Sequence, residues 1–345
     1  MKGPRQHILP RLLLKGFASR VDGNKIFTWV HWKNGKILEV SIKDVSVGKY
    51  FYGKEGEASV DAEISAFENN FAGFINELRD KPNGTVVTDS SIADFITHLC
   101  LRTKHLRDSF DYPSEFLVDK LREYLSDSNN VKTLVLKDPK IMEDAFKDAI
   151  KDIDIPPFIK EKLLLSLPYI TSAGIDQHKK QIQLFVQLFF TQLKNSLPAM
   201  LKKAHINALG KGLVPEPRAE KYRSLKWFVG QSETDLILGD VGCLFAIKGG
   251  KRYKSLTFAD DEIQNIYLPI SYNRILIGTP LHSVPEIDFK AINDAYAKCS
   301  RDYFVSSKSS PEIASLASRI GEEADAISNE ELEEIVKKTF AQGRR

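Results

Sequence analysis

Asp94, His98, Arg102 and His105 follow one another at spacings of four, four and three. At about 100° per residue in a helix, such spacings put the side chains on one strip. The strip offers acid–base chemistry and anion binding, since imidazole moves protons near neutral pH and a guanidinium holds phosphate or carboxylate in a fork. The same residues also make an ordinary polar helix edge, with Asp94 paired to His98 and Arg102 bonded to a neighbouring element. His7, in Gln6-His7-Ile8-Leu9-Pro10, is either a base or a cap for the helix that Pro10 opens. Asp240 ends the apolar run Leu236-Ile237-Leu238 within Gly239-Asp240-Val241-Gly242. A carboxylate at a strand end beside glycines can face a ligand, because glycine lets a backbone or ligand come close, but the same string also makes a turn. Lys248 follows eight residues later, yet Ala246 stands where metal-dependent nucleases carry an acid, so that signature is incomplete.

Basic residues gather in three segments. Lys2 to Arg20 holds Lys2, Arg5, Arg11, Lys15 and Arg20 with no acid, and Lys248, Lys251, Arg252 and Lys254 surround Tyr253. Between Lys202 and Lys226, seven basic residues face only Glu216 and Glu220. Such patches can follow a phosphate backbone while Tyr222, Trp227 or Tyr253 stacks on bases. A solvated face accounts for them as well. The whole chain carries 49 basic and 46 acidic residues, a net +3, so a uniformly basic nucleic-acid coat is excluded.

These residues need elements to hold them. Lys25 to Trp32 and Lys36 to Val45 are rich in Ile, Phe, Val and Trp and flank Asn34-Gly35, whose positive φ angles suit a tight hairpin. Val60, Ile64, Phe67, Phe71, Phe74 and Leu78 recur at helical spacing, ended by Lys81-Pro82-Asn83-Gly84. A second helix starts near Asp89-Ser90-Ser91, with Ser91 and Asp94 as a capping box, and buries Ile92, Ile96, Leu99, Leu106 and Phe110. Further helices are expected from Pro113 and over about 139–152, 156–167, 175–195 and 198–209. Beyond the linker Leu213-Val-Pro-Glu-Pro217, strands are expected at Lys226 to Val229, Asp235 to Leu238, Gly242 to Ile247, Ile266 to Ile270 and Arg274 to Gly278. Two helices close the chain, near 288–302 and from Pro311 to Phe340.

An isolated hairpin buries too little to stay folded. The expected architecture is therefore α+β, with the N-terminal hairpin and the C-terminal strands in one sheet layer, a large helical insertion and C-terminal helices. The boundaries are a basic segment and hairpin at 1–58, a helical block at 59–212, a β region at 213–287 and helices at 288–345. Cys100, Cys243 and Cys299 are odd in number and form no C-x-x-C pair, which speaks for a reducing compartment. No apolar run is long enough to span a membrane, and Arg11 and Lys15 interrupt the N-terminal apolar stretch, so a cytoplasmic protein without membrane partners is expected. P-loop, Rossmann, serine-hydrolase and zincin signatures are absent.

The string His7-x-x-Pro10-x-x-x-Leu14-x-x-Phe17, the hairpin and then Val45-Ser46-Val47-Gly48-Lys49-Tyr50-Phe51-Tyr52 resemble the start of the bacterial domain-of-unknown-function family 4238. The resemblance continues through Glu63 and Glu68, Leu101-Arg102-Thr103, Leu236 to Asp240, Tyr267-Leu268-Pro269-Ile270-Ser271 and Ile292-Asn293, and the stretch from about 113 to 210 adds little. Relatives often carry Ser-Asp-Asn-Pro where this chain has Gly239-Asp240-Val241-Gly242. The resemblance implies a bacterial cytoplasmic protein with relatives in phage-defence islands, and a candidate site of His7, Arg102 and Asp240 with Glu63 and Glu68 behind them. One expectation is an antiviral effector that cleaves nucleic acid. In it His7 or His98 is the base, Asp240 orients that base or holds a divalent metal such as Mg²⁺, Arg102 stabilises charge on phosphate, and Arg11, Lys15, Lys251, Arg252 and Lys254 follow the backbone. The alternatives are a non-catalytic module that senses a phage protein or nucleic acid, acting through a partner or by self-assembly into a homo-oligomer, and an enzyme on a small phosphorylated or nucleotide ligand.

Overall fold

A computed structural model describes residues 5–53, 60–131, 148, 156–166, 179–250, 253–325 and 327–342. The chain forms two compact units, Met1–Ser109 with Ala204–Ala326 and Phe110–Lys203 with Ile327–Arg345.

The first unit holds every described strand, in three antiparallel sheets. Strand β1 (Arg5–His7) pairs with β5 (Val47–Lys49) in a short ribbon. A second sheet contains β2 (Arg20–Asp22), the hairpin β3 (Lys25–Trp32) and β4 (Ile37–Ser41), and two C-terminal strands, β8 (Leu238–Gly239) and β12 (Tyr303–Ser306). The α+β class is thus as expected, and the N-terminal hairpin is joined to C-terminal strands. The remaining strands, β6 (Val86–Val87), β7 (Lys226–Gln231), β9 (Leu244–Ile247), β10 (Ile263–Ser271) and β11 (Arg274–Thr279), form a sheet of their own in the order β6-β7-β11-β10-β9.

Hairpin chemistry differs in detail from the two-residue turn that Asn-Gly suggests. Gly35 has φ +81°, while Asn34 is not left-handed. The Trp32 amide instead bonds the Lys36 carbonyl at 2.9 Å and the Asn34 side chain accepts from Lys36 N, which makes a three-residue loop with glycine at its left-handed position.

Helix α1 (Arg11–Leu14) buries its three leucines and continues as a 3-10 turn, Lys15–Phe17. Helix α2 (Asp61–Asp80) buries Ile64, Phe71, Ile75 and Leu78, close to the expected stripe. Helix α3 (Ser91–Arg102) ends earlier than the pattern suggested. Thr103 turns extended (φ −68°, ψ 147°) and its hydroxyl accepts from Leu106 N, which caps a separate short helix, α4 (Lys104–Asp108). The expected capping box of Ser91 and Asp94 does not form: Asp89 accepts from Ser91 N, and Asp94 pairs with Arg223 at 2.6 Å. One buried cluster unites α1, α2, α3, both large sheets and the helix Phe289–Cys299.

In the second unit, α5 (Asp111–Ser126) packs Val118 against Val186 and Phe190. α6 (Pro157–Ser166) also falls within it. The expected break at Pro198 is absent: α7 (Lys179–Lys211) runs through it as a single helix, with the Ser196 hydroxyl donating to the Gln192 and Leu193 carbonyls one turn before the proline. Of the expected helix over 139–152 only Asp148 is described, and it is helical; the rest lies outside the described residues. The long closing helix is divided into Pro311–Ser315, a 3-10 turn and Asn329–Gln342, with Gly321 at φ +94° between them.

Candidate functional site

Arg11 and Lys15 leave the buried leucine face of α1 on its exposed side, four residues apart. Asp61, Ser65, Glu68 and Asn69 share the polar face of α2. His7 ends β1, and Arg102 ends α3. Together these residues line a pocket of about 370 Å³.

Its floor is a buried ion pair. Arg102 is 1% exposed and its guanidinium pairs with Glu68. The same guanidinium donates to the His7 carbonyl and, at 3.3 Å, to the Tyr52 hydroxyl, which in turn donates to the Arg102 carbonyl at 3.0 Å. A planar guanidinium suits this task because its N–H groups satisfy several acceptors at fixed angles. Partial burial raises the Asp61 carboxyl above its ordinary pKa, against the pull of Arg102. Arg11 and Lys15 have no ion-pair partner among the described residues and stand at the pocket with their charge free for a ligand.

His98 packs below this pair rather than in a cleft. It is fully buried, its ring lies 4.6 Å from that of Phe67, and Nε2 is 3.7 Å from Glu68. Burial lowers its pKa to about 4, so it is neutral at physiological pH. Its expected pairing with Asp94 is not made, since Asp94 belongs to Arg223. His105, carried away by the break at Thr103, bonds Ser255 Oγ at 2.5 Å, and burial lowers its pKa to about 3.

Asp240 lines a different pocket, of about 610 Å³. Its carboxylate accepts the backbone N–H of Arg301 at 2.9 Å, Asp302 at 2.7 Å and Tyr303 at 3.3 Å. Burial pushes its pKa up to about 6 despite these three bonds. His7 and Ile8, adjacent in sequence where β1 ends in a bend, line the two pockets separately. His7 and Arg102 are therefore brought together, and Asp240 and His98 each stand elsewhere.

Of the remaining basic candidates, Lys254 pairs with Asp261 at 3.1 Å, and Lys251 and Arg252 lie outside the described residues. Tyr222 and Trp227 are buried, so neither is open for base stacking. Glu63 is exposed, whereas Glu68 joins the pocket. Among the described residues no group of three His, Cys, Asp or Glu side chains is placed to hold a metal.

Sequence reasoning missed Arg79. Its Nε donates to the Ile270 carbonyl at 2.7 Å and Nη2 to the Leu12 carbonyl at 2.6 Å, so it clamps α1, the helix that carries Arg11, to β10. Burial lowers its pKa to about 10, which still leaves it charged at neutral pH. Its position in the last turn of α2 is the only trace in the sequence, because its acceptors are carbonyls far along the chain.

Fold and site define an antiparallel α+β protein with a polar pocket floored by a buried Glu–Arg pair. The chain belongs to DUF4238, a family described as proteins of unknown function, whose profile matches residues 5–310. No curated protein and no solved structure matches the chain. Among the described residues, no helix is long and apolar enough to cross a membrane.

Proposed function

We propose that this protein binds the phosphate backbone of a nucleic acid at the pocket of His7, Arg11, Lys15 and Arg102, as a recognition module in bacterial antiviral defence. The observation that carries this reading is the pair of exposed cations, Arg11 and Lys15, set one helical turn apart at a polar pocket and lacking any ion-pair partner among the described residues. Phosphate contact by such cations releases counterions and gives affinity independent of sequence. Glu68 and Arg102 neutralise each other and hold the pocket's shape, and Asp240 ties backbone amides together, so neither group is assigned to catalysis. A hydrolytic reading keeps one support, that His7 lines the same pocket.

Fluorescence anisotropy with a labelled single-stranded RNA, titrated between low and physiological salt, tests the proposal. The expected result is an affinity that falls steeply with salt, and a doubly substituted Arg11→Ala/Lys15→Ala chain that binds at least tenfold more weakly. Loss of two phosphate contacts should reduce the slope of log affinity against log salt by about 1.4. Equal affinity in the double variant would overturn it. RNA shortened by the wild type but not by His7→Ala would favour the hydrolytic reading instead.

A further inference from the structure

The pocket beside Asp240 is separate from the one assigned to phosphate. Its lining includes Val30, Trp32 and Val40 from the β3–β4 hairpin, and Ile8, Val45 and Val47. At about 610 Å³ it has the size and the largely apolar walls of a small-molecule site. The polar part of the lining includes Asp240, Asp302, Asp44 and Tyr303, with Lys33 and Lys104.

Asp240 takes part in none of the ion pairs among these groups. Lys104 is taken by Asp302 at 2.7 Å and Asp108 at 2.9 Å. Lys33 is exposed, and its backbone amide bonds the Asp302 carbonyl. Asp240 has only neutral partners among the described residues, the three backbone N–H groups. Oδ2 accepts two of them and Oδ1 one, which leaves Oδ1 with an unused lone pair. Asp240 is half-buried, and a carboxylate drawn partly out of water ordinarily has a cation beside it, because desolvating a lone charge is costly. This carboxylate, without an ion-pair partner among the described residues, lines the same pocket as the apolar walls.

We propose that this pocket binds a small organic cation, an amine with an aromatic or branched aliphatic body. The apolar body lies against Trp32 and the valines, and the ammonium donates to Asp240. An anion of the same shape is refused, since it would meet an uncompensated carboxylate.

The test uses the full chain and three amines, tryptamine, phenethylamine and isoamylamine, each against the alcohol of the same carbon skeleton, with indole-3-acetate as the anion matched to tryptamine. Thermal unfolding and calorimetric titration should show at least one amine binding at least tenfold more tightly than its alcohol, with indole-3-acetate silent. Asp240→Asn keeps the size and one acceptor oxygen and should lose that preference. Should Asp240→Asn fail to fold, Val40→Trp fills the pocket from the partly exposed hairpin face. Val40→Trp should abolish amine binding while leaving RNA affinity unchanged. The proposal is overturned if none of the amines binds at millimolar concentration, if amine and alcohol bind alike, or if Val40→Trp binds the amine as the wild type does.

Discussion

Arg102 makes an ion pair and three hydrogen bonds around its side chain and carbonyl at 1% exposure, so its removal strands several partners at once. Arg102→Met leaves the Glu68 carboxylate without its counter-ion in a mostly buried site, which costs about 3–5 kcal/mol. Replacing both, Arg102→Met with Glu68→Leu, should recover part of that loss, because a well-packed apolar pair avoids the unpaired charge. Urea unfolding followed by tryptophan fluorescence measures this within one unit, since Trp29, Trp32 and Trp227 all lie in the first. A double variant no more stable than the single one would show that the hydrogen bonds to His7 and Tyr52 outweigh the ion pair. At this scale the sequence exposes the residue and hides its partners. Arg102 stands out as a cation near histidines, but Glu68 lies 34 positions earlier and Tyr52 50 positions earlier. Asp240 is conspicuous between glycines, yet the amides it holds are more than 60 residues further on.

Helix α1 shows how one short element is set by contacts that local sequence does not record. Gly16 follows it at closest approach to β10: a Cβ there would collide with the Ile270 carbonyl oxygen and crowd the Arg79 guanidinium. Gly16→Ala is expected to destabilise the first unit by about 1–3 kcal/mol, the usual range for overpacking. It should also weaken RNA binding although Arg11 and Lys15 are intact, because the clamp through Arg79 holds α1, the helix that carries Arg11. Unchanged affinity and stability in Gly16→Ala would show that α1 is not held by this contact. Long periodic helices such as α2 were legible, since their apolar spacing alone defines a buried face. The end of α3 was not, because Thr103 caps α4 with its own hydroxyl and a 100° wheel carried past it misplaces His105. Strand β12 has only four residues and gains its identity from pairing with β3 and β8, so periodicity was silent there.

Across the molecule, the near-balance of charge at +3 conceals a set of buried imidazoles. His31, His98, His105 and His205 are all buried in the first unit, and burial lowers their pKa values to about 4, 4, 3 and 4. Unfolded histidine titrates near 6.5. Between about pH 6.5 and 4 the unfolded chain therefore binds four protons that the folded chain refuses, and stability falls as pH falls. Asp240 opposes this: its folded pKa of about 6 lies above that of a free aspartate, so near pH 5 the folded state holds one proton that the unfolded state has released. For these five groups the net difference is three protons, at about 1.4 kcal/mol per proton and pH unit, giving a slope of about 4 kcal/mol per pH unit around pH 5, which the raised Asp61 carboxyl lessens. A carboxylate whose pKa is the same in both states adds nothing to the difference. Urea curves at closely spaced pH values, read by tryptophan fluorescence, should show the first unit losing stability steeply below pH 6.5. His98→Gln should reduce the slope by about 1.4 kcal/mol per pH unit. A stability that stays flat from pH 7 to 5 would mean that these imidazoles take up protons in the folded state, and with them that the interior around α3 and β3 opens to water.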